Sequence, residues 1–380
     1  MFELTSEQRD IRQAAREFAE KEFTDIAREL DAGERFEDKL WKKAAELGFL
    51  AMFIEEEYGG AGMGYLDQCI AIEEFARVDT GIAQCMVSCY FGTQLIKLFG
   101  TEEQKRKYLP AVCSGKWRCG MASTEPDAGS DVVAITTTAV KDGDDYVISG
   151  NKMFITNGTV ADFLLVLCVT NPEAKRKHER LSTIIVETNR EGYEANKLHG
   201  KLSIRCSDTC EVAFKDVRVP RTNLVGQEGK GFYQLMEFFN RARLEGGAGL
   251  AIGTAQGALE KTISHVKKRK AFGGTLAVMP VVQTKIAEMA TMLEAGRSLL
   301  YRAAASVDSG NVDHTLVAMA KWFTCEMAVK VADEAIQLHG GYGILEEYNV
   351  AHYWRDAKVL EIFEGTKEVE KILIGKNLLR

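Results

Sequence analysis

Near the end of the chain a single carboxylate stands in an apolar setting, Ile362-Phe363-Glu364-Gly365-Thr366, just ahead of an amphipathic stretch. Loss of hydration disfavours an ionised carboxyl and moves its pKa up, toward the range in which a general base works. The string therefore suits proton abstraction. An acid at a helix start is also favoured by the helix dipole, and the string alone gives that plainer role the greater weight. A second group, Thr124-Glu125-Pro126-Asp127-Ala128-Gly129-Ser130-Asp131, combines small residues and hydroxyls that let backbone N–H groups approach a flat, hydrogen-bonding ligand. A tight turn between domains explains it equally well. A third, Phe154-Ile155-Thr156-Asn157, puts a ring and a hydroxyl two residues apart, on one face of a strand. Taken alone, such a pair belongs more often to a core than to a cofactor.

These strings must be positioned by regular elements, and the chain divides into three textures. From residue 5 to about 119 apolar positions recur at helical spacing, as in Ile11, Ala14 and Phe18, then Leu40, Ala44 and Leu47. Thr5 with Gln8 and Thr101 with Gln104 carry the hydroxyl-then-glutamine spacing that satisfies exposed N–H groups at a helix start. The run Glu57 to Gly64 holds four glycines and must be a loop. From about 120 to 228, five β-rich segments follow: Ile135–Val140, Tyr146–Ile148, Phe163–Thr170, Ser182–Glu187 and Glu211–Val219. Asp142 to Asp145 and Gly150-Asn151 read as the turns between them, so a small antiparallel sheet or barrel is expected. From about 229 to 380 long helical periods return, four or five helices packed as a bundle. The expectation is an α+β, mostly α chain of three domains, 1–119, 120–228 and 229–380.

Bulk properties exclude several classes. The 380 residues carry a net charge of −7, which gives no general attraction to nucleic acid or anionic lipid. Nine cysteines occur singly, without a C-x-x-C pair or a nearby histidine at finger spacing, so neither a disulfide framework nor a structural zinc is expected. No basic, apolar leader opens the sequence and no apolar run is long enough to span a bilayer; the expected compartment is the cytoplasm, without membrane insertion. Neither G-x-G-x-x-G after a strand nor G-x-x-x-x-G-K-[ST] occurs. Gly226, Gly229 and Gly231 have the wrong spacing and read as an interdomain connection.

Six ordered motifs together resemble the acyl-CoA dehydrogenase superfamily over nearly the whole chain. They are Thr124 to Asp131; Lys152 to Asn157; Ser207-Asp208-Thr209 ahead of Val217 to Pro220; Arg269 with Phe272-Gly273; Gln337 with Gly340, Gly341 and Gly343; and Arg355-Asp356-Ala357 leading to Glu364-Gly365-Thr366. That family has the same helix, sheet, helix division, closing in a four-helix bundle. The resemblance implies FAD as cofactor, with Met121, Ser123, Thr124, Gly129 and Ser130 along the flavin and the head of the substrate channel. Phe154 and Thr156 would lie against the isoalloxazine ring. Arg269, Phe272 and Gln283 would reach the FAD of a neighbouring subunit, with Gln337, Leu338, Gly340 and Gly341 completing that site from another chain, and Thr366 and Glu368 on the near side. Read without the resemblance, Arg269 in Lys267-Lys268-Arg269-Lys270 is a solvated basic face. Substrate contacts are implied for Ser130, Asn240, Arg243 and Gly365. No metal is implied.

Glu364 matches the family's usual base, which takes the α-proton of an acyl-CoA thioester while the flavin accepts the β-hydrogen. The alternative base position of a few members is Ala242 here. Asp127, Phe154, Phe363 and Cys210 depart from the family's commoner glycine, tryptophan, tyrosine and arginine, and Asn240 from a frequent aspartate. The acyl pocket is expected on Ala83 to Gly92, whose small and soft side chains contain no arginine to pair a second carboxylate. A short, branched or cyclic acyl group is the preferred reading. Implied partners are an electron-transfer flavoprotein as acceptor and further copies of the chain, as a dimer of dimers. The same motifs would serve an acyl-CoA oxidase or an enoyl-CoA reductase; a flavin-free helical binding protein is the reading from another class.

Overall fold

The computed structural model describes residues 3–379. Seven helices come first: α1 (Ser6–Phe23), α2 (Ala27–Ala32), α3 (Asp38–Glu46), α4 (Tyr65–Val78), α5 (Thr80–Ser88), α6 (Thr93–Phe99) and α7 (Glu102–Cys113). The expected starts of α1 and α7 are present. The Thr5 hydroxyl accepts from Gln8 N at 3.1 Å while Gln8 Oε1 accepts from Thr5 N at 3.2 Å, and Thr101 pairs with Gln104 in the same way. The glycine-rich run is a loop in which Gly59 and Gly62 take left-handed backbone.

The middle region is one eight-stranded sheet: β1 (Cys119–Ala122), β2 (Thr138–Asp142), β3 (Asp145–Thr156), β4 (Phe163–Val169), β5 (Leu181–Glu187), β6 (Tyr193–Lys197), β7 (Thr209–Pro220) and β8 (Leu224–Val225). Its order is β6-β7-β3-β2-β4-β5-β8, with β1 beside β4. The sheet is mixed, not purely antiparallel as the alternation suggested, because β1 and β2 both run parallel to β4. The two-residue turn at Gly143-Asp144 closes the β2–β3 hairpin as expected. Gly150-Asn151 is not a turn. It lies within β3 at a register shift opposite β7, with Gly150 at φ 149° and no room for a Cβ beside Thr137. A bulge and a turn ask for the same residue types, so composition could not separate them. Short strands β1, β6 and β8 also escaped the pattern, β6 because its residues are only half-buried or exposed.

Four long helices follow the sheet: α8 (Gly231–Ala242), α9 (Leu250–Lys268), then a short hairpin of β9 (Lys270–Ala271) with β10 (Gly274–Thr275), α10 (Pro280–Asp308) and α11 (His314–His339). They precede α12 (Val350–Leu360) and α13 (Lys367–Leu378). Between α8 and α9 the chain winds as a π-helix, Arg243–Gly249, entirely buried. Helix α9 packs against both α4 and α11, joining the two helical regions. One large apolar core runs through both helical regions and reaches one face of the sheet, while a second fills the other side of the strands around Tyr146, Ile148, Val166 and Phe214.

Candidate active site

Glu364 sits in the turn between α12 and α13, where three successive carbonyls are held by two cations. Lys321 of α11 donates from Nζ to Phe363 O at 2.8 Å and Gly365 O at 2.6 Å, and Arg243 Nε donates to Glu364 O at 2.8 Å. The bonds fix an unusual backbone, with Glu364 at φ 56° and Gly365 at φ 105°. Left-handed geometry at a non-glycine residue is uncommon and costs on the order of 1 kcal/mol or more. Gly365 is required on two counts, since a Cβ there would strike Glu370 Oε1 and lie 2.9 Å from Arg243 Nη2.

The side chain of Glu364 is directed inward. Its Oε1 lies 2.5 Å from where a Cβ on Gly246 would be, so the π-helix accepts the carboxyl only because that residue is glycine. Glu364 Oε2 is sealed from solvent and has no hydrogen-bond partner. Burial lifts the carboxyl pKa to about 8, opposed by the charges of Lys321 and Arg243 and reinforced by Glu370. A nearly unpaired carboxyl poised near neutrality is what a general base requires, and the plainer helix-start role loses ground. Thr366, not Glu364, caps α13.

Arg243 forms an ion pair with Glu370 at 3.0 Å, without hydrogen-bond alignment, and is thus engaged with the Glu364 turn rather than open to a ligand. Asn240 is buried one turn earlier on α8. The expected acyl-pocket residues Cys85, Met86, Val87, Ser88 and Cys89 are all buried on α5 and the turn after it.

The Thr124–Asp131 string is a tight turn bridged between Glu125 and Ala128, and its Glu125 is spent on a buried ion pair with Lys152 at 2.9 Å. That pairing pulls the Glu125 carboxyl down to about 2 against its burial. Met121 is buried, Ser123 and Thr124 are half-buried, and Gly129 and Ser130 are exposed, with nothing within 4 Å of a Cβ on Gly129. Phe154 is not core: 64 % of it is exposed, on a left-handed residue in a bulge of β3 next to half-buried Thr156. Arg269, Gln283, Gln337, Gly340, Gly341 and Glu368 are exposed, Leu338 is buried, and Phe272 is 95 % exposed. Arg269 stacks 5.2 Å from the Tyr342 ring, which brings it against the Gly340–Ile344 turn.

Two residues of this site lie outside every motif of the sequence. Lys321 is a lone lysine in an otherwise apolar stretch, Val317-Ala318-Met319-Ala320-Lys321-Trp322-Phe323, and that isolation was the available cue to its burial. Glu245 stands in the π-helix, fully buried, accepting from Tyr90 Oη at 3.2 Å and from Gln94, and burial holds its carboxyl well above the usual range. Its cue was an acid beside the Gly246-Gly247 pair.

A half-buried carboxylate on a strained turn, facing the buried charges of the C-terminal helices, thus stands on a helix, sheet, helix scaffold. Family models for the acyl-CoA dehydrogenase N-terminal, middle and C-terminal domains match residues 5–116, 120–217 and 229–379. The chain belongs to the acyl-CoA dehydrogenase family, whose members are FAD flavoproteins and oxidoreductases. It is similar to the short-chain specific acyl-CoA dehydrogenase of Clostridium acetobutylicum, 40% identical with 100% of both chains covered. It is also similar to the acryloyl-CoA reductase (NADH) of Anaerotignum propionicum, 39% identical over 100% of this chain and 96% of that one. Among solved structures, one described as the electron transferring flavoprotein of Acidaminococcus fermentans matches with a TM-score of 0.97 at 38% identity, covering 100% of each chain.

Proposed function

We propose that this protein removes the α-proton of a short, branched or cyclic acyl-CoA through Glu364, giving the 2-enoyl-CoA. The observation that carries the reading is the carboxyl of half-buried Glu364, its Oε2 sealed from solvent without a hydrogen-bond partner, and its pKa raised by desolvation to about 8. The α-proton of a thioester is too weakly acidic for an ordinary glutamate, so the enolate oxygen must meet donors prearranged for it. The Glu364 backbone N–H, on a turn fixed by Lys321 and Arg243, is the donor this chain offers. Short acyl groups are favoured by the buried α5 wall and by the short-chain relative.

The residues present fit a flat aromatic cofactor. Phe154 offers an exposed ring beside the Thr156 hydroxyl, and Gly129, Gly340 and Gly341 each leave open space where a side chain would stand. Met121, Ser123, Thr124, Gly129, Ser130, Phe154, Thr156, Thr366 and Glu368 would hold the near part of FAD. Arg269, Phe272, Gln283, Gln337, Leu338, Gly340 and Gly341 would hold its nucleotide end across a boundary between copies of the chain, which makes a homo-oligomer necessary. Bound there, the flavin supplies a two-electron hydride acceptor. Gly365 and Asn240 would border the thioester path, and Ser130 its mouth. Electrons would leave to an electron-transfer flavoprotein, in keeping with the solved structure of that name.

Anaerobic stopped-flow mixing with butyryl-, isobutyryl-, hexanoyl- and cyclohexanecarbonyl-CoA tests the reading. At least one should bleach the flavin band, and Glu364→Gln should keep the yellow colour while slowing bleaching by about 10³-fold or more. A variant that bleaches at the parent's rate would remove Glu364 from the mechanism. The reductase relative favours a second direction, toward the saturated thioester. Reoxidation of the reduced enzyme by a 2-enoyl-CoA, compared with reoxidation by the electron-transfer flavoprotein, separates the two.

A further inference from the structure

We propose that Lys321 is a positioning residue for the base: its ammonium staples the backbone on both sides of Glu364 and supplies the uncancelled positive charge that faces that carboxyl. The proposal rests on the reading of Glu364 as the base.

Lys321 projects from the middle of α11 and is 0 % exposed. Its ammonium donates to two carbonyl oxygens, and among the described residues no carboxylate lies within ion-pair distance of it. Burying an ammonium against neutral oxygens alone is costly, so a purely structural role would be better filled by an apolar side chain. The carbonyls it holds belong to Phe363 and Gly365, the residues on either side of Glu364. The turn, at φ 56° followed by φ 105°, is closed by Lys367 N donating to Glu361 O at 3.1 Å and by Arg243 on Glu364 O, while the carbonyls on either side of Glu364 are held by Lys321. Release of these two bonds would let the turn relax toward ordinary backbone and swing the carboxyl away from Gly246.

The charges around Glu364 come from three elements. The π-helix contributes Arg243 and Glu245, α13 contributes Glu370, and α11 contributes Lys321. Arg243 is already matched by Glu370 at 3.0 Å, and Glu245 is held with its carboxyl far above the usual range, hydrogen-bonded to Tyr90 and Gln94. Lys321 is left as the charge that ionised Glu364 would itself balance. Gly247 admits the lysine stem, whose Cγ would be 3.1 Å from a Cβ there. Without the ammonium, ionisation of the base is disfavoured, so the pH at which proton abstraction reaches half its maximum must rise.

The test uses FAD-loaded enzyme and whichever of the four thioesters reduces the parent fastest, followed anaerobically from pH 6 to 10. Lys321→Met should move the midpoint up by about one pH unit or more and lower the plateau rate at least about tenfold. Lys321→Arg, which keeps the charge, should keep the midpoint within about half a unit even where altered bonding slows the plateau. Lys321→Met with the parent's rate and midpoint would overturn the proposal. So would a uniform loss of rate with an unmoved midpoint, because general loosening of the core would do the same. If Lys321→Met fails to take up FAD, Lys321→Gln provides the same two readings, and failure of both variants overturns the idea in favour of a fold-wide role. Glu364→Gln measured alongside separates the two claims. Bleaching by that variant defeats the base itself, whereas a silent Glu364→Gln with an unchanged Lys321→Met defeats this proposal alone.

Discussion

At the scale of single residues, the cost of keeping Glu364 where it is should be measurable apart from any turnover. Its folded pKa of about 8 lies above the ordinary value of 4.5. Below pH 4.5 both folded and unfolded chains hold the proton and the burial costs nothing extra. Between 4.5 and 8 the unfolded chain ionises while the folded one does not, so stability falls as pH rises through that window. At about 1.4 kcal/mol for each pH unit crossed, the loss reaches roughly 3–5 kcal/mol. Glu364→Gln carries no such penalty. Urea unfolding should therefore find it matched with the parent at pH 5 and more stable by that amount at pH 9; equal stability at both values would mean the carboxyl is less confined than its surroundings imply. Such a gain from an inactivating change is the expected trade between stability and function.

At the scale of elements, the starts of α1 and α7 were legible because a capping box is a local pattern of two side chains at fixed spacing. The π-helix was not, since three glycines among Arg243 to Gly249 argue against regular helix, yet the segment stays helical where it packs on α4 and α11. For the same reason, the sequence singled out Glu364 and Arg243 through the family resemblance but not the lysine that holds the turn between them. Lys321 lies 43 positions earlier, and no local spacing announces that a helix will deliver it to that turn. The motifs Thr124–Asp131 and Phe154–Thr156 were legible as strings, whereas the exposure of Phe154 depended on a bulge in β3 that alternation alone does not reveal. The π-helix also yields a sharp substitution. Gly246→Ala should be neutral or slightly favourable as helix chemistry, worth up to about 1 kcal/mol, yet its Cβ would sit 2.5 Å from Glu364 Oε1. We expect unchanged FAD content and melting temperature within about 3 °C, with flavin reduction slowed at least about tenfold as the carboxyl is displaced. A variant that reduces its flavin normally would place the working position of the carboxyl elsewhere.

At the scale of the whole molecule, the three regions meet at a buried charge cluster that the sequence presented only as scattered residues. His352 of α12 lies 3.0 Å from Asp79, the cap of α5, and 3.2 Å from Asp356 on its own helix, with Asp31 of α2 at 3.7 Å from its other nitrogen. The sheet region is tied in through Ile204 N, which donates to Asp356 at 2.7 Å, and through Leu202 O, which accepts from Arg355 at 3.0 Å. The three carboxylates hold the His352 imidazole protonated well above its ordinary pKa against the pull of burial, and burial raises Asp356 to about 6. A raised histidine contributes stability that is complete below its unfolded value of about 6.5 and is lost as pH climbs through the folded one. His352→Leu leaves buried carboxylates with Arg355 as their remaining cation, a loss of about 3–5 kcal/mol at pH 6.5. The deficit should narrow toward pH 10, the direction in which a raised imidazole gives up its contribution. Thermal unfolding at the two pH values checks both the size and the trend; a deficit that does not change with pH would mean the ring is neutral and merely packed. Because the cluster joins elements from all three regions, its loss should also separate their melting, so that sheet and helix signals, coincident in the parent, come apart in the variant.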